Sequence, residues 1–364
     1  MIRTGSLILV ATSLGACMGD PVLAEPGGIQ NLPVGERPRG ISIDDFNNDG
    51  RMDIAVANAD SDTVTILLQG DDSGQFIRQD YDAGNEPSDI ETGDFDRDGD
   101  MDAAIANHET SSVTVLLNDG VGRFSPAPGS PYETEAEPHL HGLAVGDFDD
   151  DGWLDIAADS SDTDAVVMLR GSSEGFTLVD PLVAGRFPYY RIDSLPTASG
   201  SDILVPSPRA HRVSRIAPRQ VTAQQPALIG DAEGAMMVIS ANLNGDDRAD
   251  VVAVMNGAVI MWAAEDSGFS VLPDMPVPFD TPTEIAAGDI DGDGRDEVVV
   301  GLWDDDRIHI LSSEGTSLGA VRACYRPAAL AVADLNGDAR AEIAAGCWND
   351  EKIMIFDAAD ILLD

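Results

Sequence analysis

The sequence predicts an all-β chain closed into a ring, a seven-bladed β-propeller with four-stranded antiparallel blades. Three observations lead there. An acidic loop of one pattern, Asp45-Phe46-Asn47-Asn48-Asp49-Gly50-Arg51-Met52-Asp53, recurs in near copies that begin at Asp94, Asp147, Asn242, Asp289 and Asp334. The starts are separated by 49, 53, 95, 47 and 45 residues, the long gap being two periods, so six copies mark six units of a seven-unit repeat. The stretches between loops are short runs rich in Val, Ile and Thr, broken by Gly, Asn and Asp, and none sustains a helical period of 3.6 residues.

The first 24 residues read as an export signal: Arg3 is a minimal basic region, and Leu7 to Ala16 is apolar but too short to span a bilayer as a helix. Leu14-Gly15-Ala16-Cys17 resembles the lipobox of bacterial lipoproteins, in which the Cys becomes the lipidated first residue. Val22-Leu23-Ala24 offers a competing site for ordinary signal cleavage. The expected product is therefore either a cell-envelope lipoprotein anchored through Cys17 or a secreted or periplasmic protein. A short Pro/Gly tether, Glu25 to Gly28, leads into one repeat domain over residues 28–364.

The grammar of a unit is clearest in the second. The turn Asn85-Glu86-Pro87-Ser88 precedes a strand over Ile90 to Phe95, the acidic loop follows, and Asp102 to Asn107 forms the next strand. A polar turn from His108 to Ser112 leads to Val113–Leu117, and Gly120-Val121-Gly122 leads to a fourth strand around Arg123-Phe124-Ser125. Inside the double gap, Tyr190 to Leu195 followed by Ser201 to Val205 keeps this outline without the alternating ligands, and is read as a degenerate fourth unit. The last unit is one strand short: Glu342–Cys347 and Lys352–Phe356 supply its middle strands. Gly28 to Pro33 is expected to add the missing outer strand, closing the ring and removing an exposed edge. The competing architecture is an open array of β-repeats with capped ends.

Composition excludes some functions. With 65 acidic against 21 basic residues the chain carries a formal charge of −44, which repels nucleic-acid phosphates and anionic lipid headgroups. Six divalent ions would still leave −32, so the rest of the excess belongs to a solvated acidic surface. With Cys17 lipidated or removed, Cys324 and Cys347 remain, either as a disulfide suited to an exported protein or as two buried thiols.

The loops place oxygen donors at alternate positions. Ca²⁺ takes six to eight oxygens; positions 1, 3, 5 and 9 offer side chains, position 7 a backbone carbonyl, and Gly at position 6 allows the sharp turn. The candidate metal residues are Asp45, Asn47, Asp49, Arg51 and Asp53; Asp94, Asp96, Asp98, Asp100 and Asp102; and Asp147, Asp149, Asp151, Trp153 and Asp155. The later loops add Asn242, Asn244, Asp246 and Asp250; Asp289, Asp291, Asp293, Arg295 and Glu297; and Asp334, Asn336, Asp338 and Glu342. An EF-hand would need Glu at position 12 and a following helix; Val56, Ile105, Ala158, Ala253, Val300 and Ala345 stand there instead. Loops beginning at Asp94, Asp147 and Asp289 offer four carboxylates and should bind most tightly; those at Asp45 and Asp334 offer three, and that at Asn242 two. Asp247 and Ala339 replace the Gly at position 6, with Gly245 and Gly337 two places earlier, so the last loop is expected to be strained at Ala339. The alternative is that these Asp side chains only form Asx-turns.

Asp45 to Val56 and Gly93 to Asp102 resemble FG-GAP/VCBS-type repeats, which form the seven-bladed propeller at the head of integrin α-chains and occur in exported bacterial proteins. The resemblance covers nearly the whole mature chain. It implies up to six Ca²⁺ ions held between the first two strands of the blades, and it implies adhesion, carbohydrate binding or a non-catalytic part of an enzyme without choosing among them.

Propeller connectivity puts the loops on one face and the turns between units on the other. The second face collects Arg37, Arg39, His108, His139, His141, Tyr189, Tyr190, Arg191, Trp303, Tyr325, Arg326 and Trp348, an expected electropositive island whose aromatics suit a sugar ring or a peptide anchor. The plainer alternative is that the Trp side chains cover blade ends while the Arg side chains pair with Asp. His139-Leu140-His141 can present two imidazoles on one side of a strand to a metal, though without a clear third ligand. No nucleophile elbow, zinc-protease helix or phosphate-binding Gly loop is present. The reading is an exported, calcium-binding, monomeric propeller that binds a protein or glycan, with no catalytic residues; the alternatives are a polysaccharide lyase or hydrolase on the same ring, or a purely structural surface module.

Overall fold

The structure, a computed structural model, describes residues 29–71, 75–137, 139–219, 226–246 and 248–357. The export segment with Cys17, and Asp247, lie outside the described residues. Among the described residues no helix is long and apolar enough to cross a membrane.

Seven antiparallel sheets follow one another along the chain, each a blade. Blade 1 runs through Pro38–Asp44, Asp53–Asn58, Thr63–Gln69 and Phe76–Asp82. The first strands of blades 2 to 7 are Pro87–Gly93, Leu143–Gly146, Asp193–Thr197, Met237–Ala241, Pro282–Gly288 and Pro327–Ala333. Blade 4, the degenerate unit, continues through Gly200–Ser207, Arg212–Ile216 and Ala227–Asp231. The outermost strand of blade 7 comes from the other end of the chain, Gln30–Pro33, which pairs with Lys352–Phe356. First strands are the inner ones: that of blade 1 lies against those of blades 2 and 7.

Sequence reading expected four continuous strands per blade, but in blades 2, 3 and 5 the outer strand comes in two pieces. In blade 2 both Phe124–Pro126 and Tyr132–Glu133 pair with Ser112–Asn118, and Pro128 to Pro131 occupy the gap, where prolines supply no amide to a ladder.

The core is distributed over the seven boundaries between blades. Second strands such as Asp53–Asn58 and Asp102–Asn107 are buried along their whole length, because each is covered on both faces by neighbouring blades. Between blades 1 and 2, Val64, Ile66 and Leu68 meet Ile90, Ile105 and Leu116. Phe46, from the second position of the first acidic loop, enters the same cluster and meets Phe124 edge-to-face at 5.5 Å; such a pair adds about 0.5–1.5 kcal/mol beyond the area it buries. The loop is thus anchored through its own aromatic residue to the interface it overhangs. Cys324 and Cys347 are joined as a disulfide within blade 7 and its lead-in turn, Cα atoms 6.1 Å apart.

Candidate functional site

The acidic loops share one internal geometry. In the first, Asp45 accepts the amides of Asp49 and Gly50, Asn47 accepts that of Asp49, and Asp49 accepts that of Arg51. These are Asx-type turns, and they curl the loop so that donors at positions 1, 3 and 9 face one another. In the three four-carboxylate loops the convergence is tight: ligand oxygens of Asp94, Asp96 and Asp102 lie within 4.8 Å of one another, as do those of Asp147, Asp149 and Asp155, and those of Asp289, Asp291 and Glu297.

Position 9 is the buried end of the set. Asp102 accepts the Phe95 amide at 2.9 Å with one oxygen and the Asn118 amide at 2.8 Å with the other; Asp53, Asp155 and Asp250 repeat both bonds. Burial pushes Asp53, Asp102, Asp155, Glu297 and Glu342 up to about 7, against the amide bonds that pull the other way, with neighbouring loop carboxylates adding to the rise. Asp94 Oδ1 and Asp149 Oδ1 are buried without a hydrogen-bond partner, an arrangement that costs free energy, although the other oxygen of Asp149 already pairs with Arg170 at 2.6 Å. Hard oxygen donors, converging geometry and orphaned buried oxygens together fit a divalent cation of the calcium type.

The remaining positions divide. Asp98, Asp151 and Asp293 at position 5 stand outside the tight groups, and Asp49 and Asp293 are held by the guanidinium groups of Arg51 and Arg295. Arg51 and Arg295 thus act through their side chains as well as offering a carbonyl. Asp100 accepts the Asn48 amide group from the loop of blade 1, and Arg97 lies 5.0 Å over the Trp153 ring of the next loop, so these side chains tie adjacent loops together. In the weaker loops, Asn242 donates its side-chain amide to Gly294 in blade 6 and Asn336 donates to Glu342 at 2.7 Å. Asn244 accepts the Asp246 amide, Asp246 accepts that of Arg248, and Asp334, Asn336 and Asp338 form the same turns in blade 7.

Ala339 takes φ +69°, the left-handed backbone expected at position 6. Sequence reading missed that position 4 is left-handed too, at Asn48, Arg97 and Asp150 as well as at Gly245, Gly292 and Gly337. The Gly residues two places early in the later loops therefore fill a second demand of the same turn.

On the opposite face most of the expected ligand residues meet. Tyr325 and Trp303 flank Arg326, at 5.1 and 4.5 Å; Trp303 meets Trp348 edge-to-face at 5.2 Å; and Arg37 and Arg39 lie 5.0 and 5.4 Å over Trp348. Glu86 joins Arg37, at 2.6 Å, to His108, at 3.7 Å; His108 stacks on His139 at 4.4 Å and meets His141 at 5.2 Å. Tyr189 lies 4.6 Å from His141 and 5.3 Å from Phe187, over which sits Arg209. An unbroken arc of contacts thus crosses six blades. Burial, aided by His141 and Arg39, lowers His108 to about 4, so it is neutral at neutral pH.

Two expectations are corrected. The Arg side chains do not form a free electropositive island: Arg37 pairs with Asp60 and Glu86, Arg39 with Glu86, and Arg191 with Glu284 at 2.9 Å. Glu86 reaches Arg37 and Arg39 from the next blade and Glu284 reaches Arg191 from blade 6, links that sequence proximity could not reveal. His139 and His141 do not sit on a strand; they precede Leu143–Gly146, and the Nδ1 of His141 bonds Asp159 at 2.9 Å. Arg191 lies below the rim, beside a 230 Å³ cavity lined also by Glu91 and Asp193. Tyr190 takes φ +78° and lies 6.1 Å from both Tyr189 and His141.

A repeated backbone device builds this arc. Arg37, Glu86, Phe187, Thr281 and Arg326 each precede the proline of a lead-in turn and take φ between +51° and +61°. The carbonyls of Arg37, Glu86, Thr281 and Arg326 accept the amides of Ala59, His108, Trp303 and Trp348, the first residues after the second strands. Sequence reading missed Glu86, Asp159, Phe187 and Arg209; the X-Pro signature at the start of a blade marks two of them.

Fold and loops define a repeat propeller in which every blade but the fourth carries an acidic turn. Residues 45–105, 94–158 and 242–300 match the FG-GAP-like repeat, so the propeller contains three FG-GAP-like repeats. No curated protein matches it. Among solved structures it is similar to BBS1N in complex with ARL6DN. The crystal soaked with lead gives 11% identity and a TM-score of 0.60, covering 92% of this chain and 96% of that one. The crystal soaked with mercury gives 12% and 0.62, covering 91% and 95%. Likeness at this identity is a likeness of fold.

Proposed function

We propose that the protein is a calcium-stabilised propeller that binds a protein or glycan ligand through the face opposite its acidic loops, acting outside the cytoplasm as a secreted, periplasmic or Cys17-anchored surface module. The observation that carries this reading is the contact arc from Tyr325 to Arg209, which concentrates Trp, Tyr, Phe, His and Arg on one face of a chain with formal charge −44. Planar rings held by stacked guanidinium groups are ordered before a ligand arrives, so little side-chain freedom is lost on binding. The acidic loops serve the blades: the carbonyls of Asn242 and Asp289 accept amides of Asp296 and Ala341 from the next blade, so ordering a loop orders a blade boundary.

A glycan and extracellular-matrix array, probed with and without calcium, tests the reading. Binding is expected to fall at least tenfold in Trp348→Ala with the calcium-dependent melting transition retained; a ligand whose binding is untouched by Trp348→Ala and Tyr325→Ala together would move the site elsewhere.

One observation favours a second reading, a polysaccharide lyase or hydrolase. Burial pushes Glu284 up to about 8 despite the adjacent Arg191, and Glu91, Asp193 and Tyr190 stand nearby, a set of perturbed groups below the mouth of the ring. New reducing ends or unsaturated uronate absorbance from an acidic polysaccharide, lost in Glu284→Gln, would establish it.

A further inference from the structure

Three of the five histidines of the chain meet on the face opposite the acidic loops, although they come from two blades. His108 follows the second strand of blade 2, and His139 and His141 lead into blade 3. Their ring centres are 4.4, 5.2 and 6.3 Å apart. A tetrahedral ion about 2.0–2.1 Å from each imidazole nitrogen holds ring centres roughly 5 Å apart, so this spacing brackets such a site.

Three features prepare the rings. Asp159 is fully buried and fixed by accepting the amides of His141 and Gly142; its other oxygen takes the His141 Nδ1–H, which leaves Nε2 as the lone-pair nitrogen. A carboxylate behind an imidazole is the arrangement that orients metal-bound histidines. His108 Nδ1 and His139 Nδ1 are buried with no hydrogen-bond partner. Ligand atoms of Glu86, His108 and Glu109 already lie within 4.8 Å of one another, whereas His139 and His141 join no such group until their rings turn. Against a cation stand Arg37 and Arg39, but both are drawn to Glu86 Oε1, while Oε2 faces His108.

We propose that His108, His139, His141 and Glu86 form a site for a divalent transition-metal ion of the zinc class, chemically distinct from the acidic loops. Imidazole donors favour zinc, cobalt, nickel and copper over calcium, whereas the all-oxygen loops favour the hard ion. Closing the site requires the His139 ring to turn out of its stack on His108.

The test titrates the full chain with Co²⁺ in saturating calcium, which occupies the loops, and follows visible absorption. One equivalent with the intense bands of tetrahedral cobalt, displaced by Zn²⁺, is expected. His141→Gln and Asp159→Asn should each weaken binding by about tenfold or more. A weak octahedral spectrum in the wild-type chain, or affinity unchanged by both substitutions, overturns the proposal. If either variant loses its calcium-saturated melting transition, His139→Gln replaces it, and the wild-type spectrum decides in every case.

Discussion

Blades 2 and 4 solve one electrostatic problem in different ways. In blade 2 the buried carboxylate of Asp102 opens the second strand, bonds two amides, and is surrounded by Asp94, Asp96 and Asp98. Blade 4 has a short turn from Thr197 to Gly200 in place of that loop, yet keeps a buried acid in the same register: Asp202 precedes Ile203, which pairs with Ile216 as Ala103 pairs with Leu116. The amide that Asn118 supplies in blade 2 has no counterpart, because Pro218 stands there. Instead Arg219 Nη1 lies 2.7 Å from Asp202 and donates to the Ser201 carbonyl at 2.9 Å. The frame asks for a buried acid at this point, and the acid asks for positive charge. Blade 4 carries its cation covalently, and on the proposed reading the other loops take one from solution.

The largest expected effect breaks the blade-4 side. Arg219→Met leaves the buried Asp202 with only the more distant Arg215, at 3.7 Å, and should cost about 3 kcal/mol in denaturant unfolding, a cost of the same size with and without EDTA. A loss under about 0.5 kcal/mol would show that the guanidinium is not the stand-in. Next comes calcium. EDTA should lower the melting temperature, each loop contributing about 2.7 kcal/mol at a hundredfold excess over its dissociation constant. Asp96→Ala should reduce calcium affinity, measured by calorimetry, more than Asn244→Ala does; the opposite order would defeat the ranking by charge.

The pH dependence sharpens the same contrast. Asp102 and Asp155 titrate near 7 in the ion-free fold, above their usual value, so the fold holds more protons than the unfolded chain between about pH 4 and 7. Ion-free stability should therefore fall as pH rises across that window, and the calcium-induced rise in melting temperature should be larger at pH 8 than at pH 5. An increment equal at both would contradict it. The smallest effect is Ala339→Gly, which relieves the φ +69° backbone and should add about 1 kcal/mol; a destabilisation would mean that the methyl group matters more than the strain.

How far each part was legible follows from its physics. The six loops were readable because their ligands sit on one short segment at fixed alternation, and the blade count followed from their period. The pairing of Asp202 with Arg219 was invisible, since it joins residues 17 apart with no repeat to align them. The arc on the other face was readable as a list of residue types but not as a charge balance: Glu86 serves Arg37 and Arg39 at the entry to blade 1 and His108 in its own blade at once. The split outer strands of blades 2, 3 and 5 escaped because outer strands are half exposed and carry little apolar alternation.

The left-handed residues before the lead-in prolines have a consequence for change over time. Arg37, Glu86, Phe187, Thr281 and Arg326 are a long cation, an acid, an aromatic, a small hydroxyl and a second cation on almost identical backbone. A position that accepts such different side chains at one conformation works as a socket. The ring therefore offers several sockets around one rim, each refillable by a single codon change without altering the scaffold, and new recognition can be assembled there one residue at a time.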